Sequence, residues 1–388
     1  MKPVSNKNHT DAPVICIVGA RPNYMKMAPI IRAFANHEPA LRTLLVHTGQ
    51  HYDAAMNDQL FADLALPRPD VNLEVGSASH AVQTAEVMKR FEPVIDAHGA
   101  RAVVVVGDVN STIACALVAV KRHVPVVHVE AGLRSNDRRM PEEINRILTD
   151  QISDVLYTTE RSALANLERE GIRAERVEFV GNVMIDSLLA NLPKAVAVAE
   201  ILSSAGIDSS RIADGYGVVT LHRPSNVDDP LKLAAILGAL AEISRKLPLV
   251  IALHPRTRNS LVQYGLLDRL ENPGFVILPP QGYLQMLGLM SGAVMVLTDS
   301  GGIQEETTAL GVPCLTIREN TERPITVDQG TNTLVGTDPD ALIAAANAVL
   351  ADGGKRGRVP EYWDGRAAER IAAHLFGWLE KAEQSTDT

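Results

Sequence analysis

The chain has 388 residues, 46% of them apolar and 21% charged. That length exceeds what one hydrophobic core usually carries, and that balance is typical of soluble globular proteins, so two domains are expected. The formal net charge of −9 excludes a general attraction to nucleic acid or anionic membranes, and any anionic ligand must be held by local basic groups.

The first residues, MKPVSNKNHTDAP, are polar and lack the apolar core of a signal sequence, so residues 1–13 are read as a disordered lead-in. No run of 18 uninterrupted apolar residues suggests a membrane span. Cys16, Cys115 and Cys314 are widely spaced in apolar stretches. They read as core thiols in a reducing compartment, and the expected location is cytoplasmic.

From residue 14 onward, short β-branched runs alternate with helical patterns. The first half offers strands at 14–18 (VICIV), 44–47, 103–106 (VVVV), 126–129, 155–158 and 177–180. Between the first two, Tyr24, Met27, Ile31 and Phe34 form an apolar stripe at helical spacing. The second half repeats the scheme with strands at 217–221, 249–253, 275–278, 294–298 and 313–317. Continuous apolar strands separated by helices imply parallel sheets covered on both faces. An Ala-, Leu- and Ser-rich stretch near 185–215 lacks a strong strand and marks the boundary. The expected domains are 14–185 and 186–364. A last helix at about 365–381 is compatible with either.

Charged residues follow the carboxyl ends of the strands in both halves, where open parallel sheets bind ligands. Ser300-Gly301-Gly302 open a helix after a strand, exposing backbone N–H groups at its positive end, which suits a diphosphate. Glu306, one turn on, is placed to accept from ribose hydroxyls. The plainer alternative is a strand-to-helix turn with Ser300 as its N-cap. Arg21 and Lys26 follow the first strand where a dinucleotide fold carries glycines. Only Gly19 is present there, which argues against NAD and for direct cationic contact with phosphate. The alternative for both is a solvated surface position. Asp108, Glu130 and Glu142-Glu143 form an acidic set. The plainer alternatives are that Asp108 caps the next helix and that Glu142 pairs with Arg146 four residues on. Glu130 ends an apolar strand and is expected to be partly buried. His51, His222 and His254 are each more often structural than catalytic when taken singly.

Taken together, GARPNYMKMAPI, TGQHYD, VVVVGDVNST, HVEAGLRS, MPEEINRILTD, LHRPSNVDDP, TDSGGIQEE and RENTERP, in this order over roughly residues 14–330, resemble the non-hydrolysing UDP-N-acetylglucosamine 2-epimerases. The resemblance implies an α/β fold of GT-B type, with two Rossmann-like domains, parallel sheets and an interdomain cleft, and with the terminal helix packed on the first domain. It implies a homodimer with no metal and no nicotinamide cofactor, whose partners are the nucleotide sugar UDP-GlcNAc and UDP, not nucleic acid or membrane. By position, Asp108, Glu130, Glu142 and His222 match catalytic residues. Arg21, Lys26, Ser300, Gly301, Gly302, Glu306 and Arg323 match substrate-binding residues, with Gln281 and Met286 near the uracil. Gln50, His51 and Arg223 match an allosteric region.

The implied reaction is reversible epimerisation at C2 of UDP-GlcNAc to UDP-ManNAc, supplying surface polysaccharide precursors. It proceeds by anti elimination of UDP to 2-acetamidoglucal and re-addition. The C2–H bond is not beside a carbonyl, so direct deprotonation would leave an unstabilised carbanion. Elimination instead needs a stabilised leaving UDP and acid/base groups on both faces of C2. Alternatives are a related UDP-2-acetamido substrate such as a 2,3-diacetamido uronic acid nucleotide, a hydrolysing 2-epimerase, a glycosyltransferase of the same fold, or a non-catalytic sensor.

Overall fold

The computed structural model describes residues 12–49 and 61–386. The chain divides into two compact units. Unit 1 takes the residues up to Ala190 and those from Glu361 onward, and unit 2 is Asn191–Pro360.

Unit 1 opens with β1 (Val14–Val18), α1 (Arg21–Asn36), β2 (Thr43–His47), β3 (Val71–Asn72) and α2 (His80–His98). It continues with β4 (Ala102–Val106), α3 (Asn110–Lys121), β5 (Val126–Ala131), α4 (Pro141–Ile152), β6 (Val155–Thr158), α5 (Arg161–Arg169), β7 (Val177–Phe179) and α6 (Val183–Asn191). Unit 2 follows with α7 (Val198–Ser204), β8 (Gly217–Thr220), α8 (Pro224–Val227), α9 (Pro230–Ile243), β9 (Leu249–Ala252), α10 (Pro255–Gln263) and β10 (Phe275–Leu278). Its second half holds α11 (Tyr283–Ser291), β11 (Met295–Thr298), α12 (Gly301–Leu310), β12 (Cys314–Thr316), α13 (Pro324–Asp328), β13 (Asn332–Leu334) and α14 (Pro339–Asp352). The chain ends in α15 (Ala367–Thr386).

Both sheets are wholly parallel. Their strand orders are β3-β2-β1-β4-β5-β6-β7 and β10-β9-β8-β11-β12-β13. Each order reverses once, at β1/β4 and at β8/β11, so each unit is a Rossmann-like fold with one topological switch point. The α/β class expected from the alternating pattern is therefore the observed one. The sequence showed no strand at β3 or β13, because VN and NTL are too short for a periodicity signal and gain their pairing only from β2 and β12.

The cores are aliphatic. In unit 1, Ile15, Ile17, Val103 and Val105 pack against Phe91, Cys115 and Ala119. In unit 2, Val219, Ile251 and Leu297 pack against Leu233, Leu237 and Leu240. All three cysteines are buried and free, and burial pushes the Cys314 thiol up to about 11. The terminal helix α15 belongs to unit 1. Asp186 of α6 accepts from the N–H groups of Ala367 and Ala368 at 3.1 and 2.7 Å, capping α15, and Tyr157 of β6 bonds His374 at 2.9 Å. No helix among the described residues is long and apolar enough to cross a membrane.

Candidate functional site

In unit 1, the carboxyl ends of β1, β4 and β5 lie side by side, because these strands are hydrogen-bonded neighbours. Asn23, in the first turn of α1, ties two of them together. Its side chain accepts from Ala20 N–H at 3.0 Å and donates to the Val106 carbonyl at 2.8 Å. Lys26, one turn on, is 5% exposed and forms an ion pair with Glu130. It is therefore not the solvated surface lysine that the plainer reading allowed. Gly107 makes room for it, since a Cβ there would stand 3.0 Å from the Lys26 ammonium. Arg21 begins α1.

Glu130 has an unusual backbone. The register between β5 and β6 shifts between Val129 and Ala131, and Glu130 is the extra residue, at φ +71°. A bulge at a strand end redirects its side chain relative to the regular alternation. Glu130 is 3% exposed, more deeply buried than its sequence position suggested.

Asp108 forms an ion pair with Arg146 of α4, and does not cap α3, whose N-cap is Val109 with no side-chain bond. Arg146 also holds Glu143, through Nε at 2.9 Å and Nη2 at 2.6 Å. On its own helix Arg146 thus pairs with Glu143 at i,i+3, where the sequence suggested Glu142 at i,i+4. Helix geometry explains the difference: Glu143 points inward and also accepts from the backbone N–H groups of Ser135 and Asn136, at 3.0 and 2.8 Å. Burial would raise its carboxyl, but these donors and Arg146 hold it below the ordinary range. Glu142 is half-buried at the first turn of α4. The arrangement in unit 1 is thus three carboxylates, at positions 108, 130 and 143, each held by a fixed cation.

In unit 2, β8 and β11 are neighbours at the switch point, and Asp299 is the hub between them. It accepts from His222 N–H at 3.1 Å, from Arg223 N–H at 2.9 Å and from Asn226 at 3.2 Å, and it pairs with His222 Nδ1 at 3.1 Å. Burial would raise the Asp299 carboxyl, but the imidazole and these N–H groups bring it below its usual value. Asp299 fixes the orientation of His222, whose side chain keeps 39% exposure. Arg223 donates from Nε to the Asp299 carbonyl at 3.1 Å.

Ser300 is the N-cap residue of α12, yet its hydroxyl makes no capping bond; its N–H donates to Thr298 Oγ1 at 3.0 Å. The capping half of the plainer reading is therefore not observed. Gly301 follows, and a Cβ there would meet Glu322 Oε1 at 2.7 Å and Arg323 Nη1 at 3.2 Å. Arg323 is buried and paired with Glu305 at 2.8 Å and Glu322 at 2.9 Å. Glu322 also accepts from Arg318 at 2.7 Å, and this arginine cluster overrides burial to hold its carboxyl far below the ordinary range. Gly302 is half-buried in the first turn of α12, and Glu306 is buried further along it. Gln281 donates to the Pro279 carbonyl at 2.8 Å, and Met286 packs on the unit 2 core. Gln50 and His51 lie outside the described residues.

Sequence reasoning gave no role to Asn23, Asp299 or Glu322, and offered Arg146 only as a partner for Glu142. The available signal was position: Asp299 directly follows the strand at the switch point, and Glu322 sits among Arg318 and Arg323 of its own segment and Arg223 beyond the tip of β8.

A family model for UDP-N-acetylglucosamine 2-epimerase matches residues 33–376. The chain is 42% identical over 362 residues to a UDP-N-acetylglucosamine 2-epimerase of Methanocaldococcus jannaschii, covering 92% of this chain and 97% of that one. It is 41% identical over 369 residues to the UDP-2,3-diacetamido-2,3-dideoxy-D-glucuronate 2-epimerase of Pseudomonas aeruginosa, covering 93% and 99%. Among solved structures, the M. jannaschii UDP-GlcNAc 2-epimerase in complex with UDP-GlcNAc and UDP superposes with a TM-score of 0.82 at 39% identity, covering 94% of this chain and 99% of that one. By sequence across both units and by the GT-B-like class of its fold, the chain belongs to the UDP-N-acetylglucosamine 2-epimerase family and is an isomerase.

Proposed function

We propose that the protein interconverts UDP-GlcNAc and UDP-ManNAc without net hydrolysis. One carboxylate takes the proton from C2 as the C1–O bond to UDP breaks, giving 2-acetamidoglucal and UDP. A second acid then delivers a proton to the opposite face of C2 as the UDP oxygen rejoins C1. Asp108, Glu130 and Glu142 are the acid/base candidates. The leaving diphosphate is held by Arg21, His222, Arg323 and the N–H groups of Ser300, Gly301 and Gly302 at the start of α12, with Glu306 on the ribose and Gln281 and Met286 beside the uracil. In this reading Lys26 acts on Glu130, holding its carboxylate in place. Gln50, His51 and Arg223 remain candidates for a regulatory contact.

The observation that supports this reading most is the pair of acids at adjacent strand tips, Asp108 and Glu130, each fixed by its own cation in a chain of this family. A sugar-nucleotide sensor needs the phosphate and base contacts but has no use for such acids. The same reading carries a cytoplasmic homodimer that feeds surface polysaccharide synthesis.

A second reading keeps the reaction and changes the sugar, because the P. aeruginosa relative at 41% identity is named for a diacetamido glucuronate. The test is incubation with each nucleotide sugar, no cofactor added, followed by proton NMR. UDP-ManNAc from UDP-GlcNAc is the expected product. Turnover of the diacetamido uronate alone would transfer the activity to that sugar, and free N-acetylmannosamine with UDP would show the hydrolysing reaction instead.

A further inference from the structure

Beneath the acids of unit 1 lies a second layer of buried charge. His128 of β5 and Asp150 of α4 are both wholly buried. His128 Nδ1 is 2.6 Å from Asp150 Oδ1, and Nε2 is 2.8 Å from the Gly107 carbonyl oxygen. A carbonyl and an ionised carboxylate only accept, so both ring nitrogens are placed to donate. The other Asp150 oxygen accepts from Gly132 N–H at 3.1 Å and from Arg134 Nη2 at 2.7 Å. Arg134 reaches onward to Glu170 through Nε at 2.8 Å and Nη2 at 2.6 Å. Burial would raise the Asp150 carboxyl, but His128 and Arg134 hold it below its ordinary value.

The backbone points that this network grips are significant. Gly107, at φ +67°, directly precedes Asp108. Gly132, at φ +79°, lies two residues after Glu130, itself at φ +71°. One imidazole ring and one carboxylate thus clamp two left-handed turns, each carrying a candidate acid. A buried ion set is a poor way to gain stability, since apolar packing of the same volume generally does as well. It is a good way to fix two backbone segments in a unique relative placement.

We infer that His128, Asp150 and Arg134 form a positioning device that sets the carboxylates of Asp108 and Glu130 relative to one another for proton transfer at C2. The inference rests on the epimerase reading of those acids. None of the three residues touches substrate in this scheme. Their effect therefore falls on kcat, since small misplacements of reacting groups are costly while binding contacts elsewhere are untouched.

The experiment is steady-state kinetics of His128→Gln and Asp150→Asn beside the wild type, on UDP-GlcNAc and on the diacetamido uronate nucleotide, with calorimetric titration of UDP. The expected result is a kcat lowered about tenfold to a hundredfold, with KM and UDP affinity held near wild type. Folded variants with wild-type kcat, on an active wild type, overturn this inference alone. Equal losses in kcat and UDP affinity also overturn it, because they mark general damage. A wild type inactive on both sugars removes the functional reading and this inference together. Should neither variant fold, 15N NMR of histidine-labelled wild type near neutral pH decides the matter: protonation of both His128 ring nitrogens supports the device, and a neutral tautomer overturns it.

Discussion

Glu130 combines burial, charge and a left-handed backbone, three conditions a glutamate ordinarily avoids. Such a backbone costs on the order of 1–3 kcal/mol and persists only where its surroundings over-determine it. Lys26, the bulge in β5 and the Asp150–Gly132 bond supply that determination. Glu130→Gln keeps the shape and removes the ionisable carboxyl group. It is expected to lower kcat by about a hundredfold or more, the usual worth of a positioned acid/base group, with KM for UDP-GlcNAc little changed in the same assay. Arg146 poses the opposite case, a cation neutralising two acids. Arg146→Met leaves Glu143 buried without its cation, and a loss of about 3–5 kcal/mol is expected from urea unfolding. Asp108 loses its anchor in the same variant, so kcat falls as well.

At the scale of elements, α15 is the clearest case of a helix start capped by a side chain from another helix. Two of its first N–H groups find their acceptors in Asp186 of α6. Burial raises the Asp186 carboxyl from 3.8 to about 6, against the pull of those N–H groups. A raised value means that the folded protein binds this proton more tightly than the unfolded chain. The contribution is therefore complete below pH 3.8 and lost as the pH climbs through about 6. It amounts to roughly 3 kcal/mol, at 1.36 kcal/mol per pKa unit. Asp186→Asn removes the titration. The wild-type melting temperature is expected to fall relative to that of Asp186→Asn as the pH rises across this window, and parallel melting curves would contradict the assignment.

The molecule as a whole responds to a bound ligand through its stability. Ligand binding to the folded state alone stabilises it, by about 2.7 kcal/mol at a hundredfold excess over Kd. UDP is therefore expected to raise the melting temperature of the wild type. An Arg323→Ala variant is expected to lose most of that rise. Epimerisation in heavy water is expected to place deuterium at C2 of recovered UDP-GlcNAc as well as of UDP-ManNAc. A transferase or a sensor would place none.

What the residues determined by themselves was local and periodic. β-Branched runs alternating with apolar stripes at helical spacing have one economical solution, a parallel sheet covered by helices, and both units adopt it. Charged residues directly after apolar runs likewise marked Asp108, Glu130, His222 and the Ser300–Gly302 turn for attention, because a strand tip is where side chains leave the core. Tertiary structure decided the partners. Nothing local distinguishes Glu142 from Glu143, and only the inward face of α4 gives Arg146 to Glu143. Lys26 reaches Glu130, and Asp299 reaches His222, because β1, β4 and β5 and then β8 and β11 become neighbours through crossovers that no short stretch of sequence encodes. The bulge at Glu130 is equally non-local, since it is a mismatch of register between β5 and β6 that exists only once the two strands have paired.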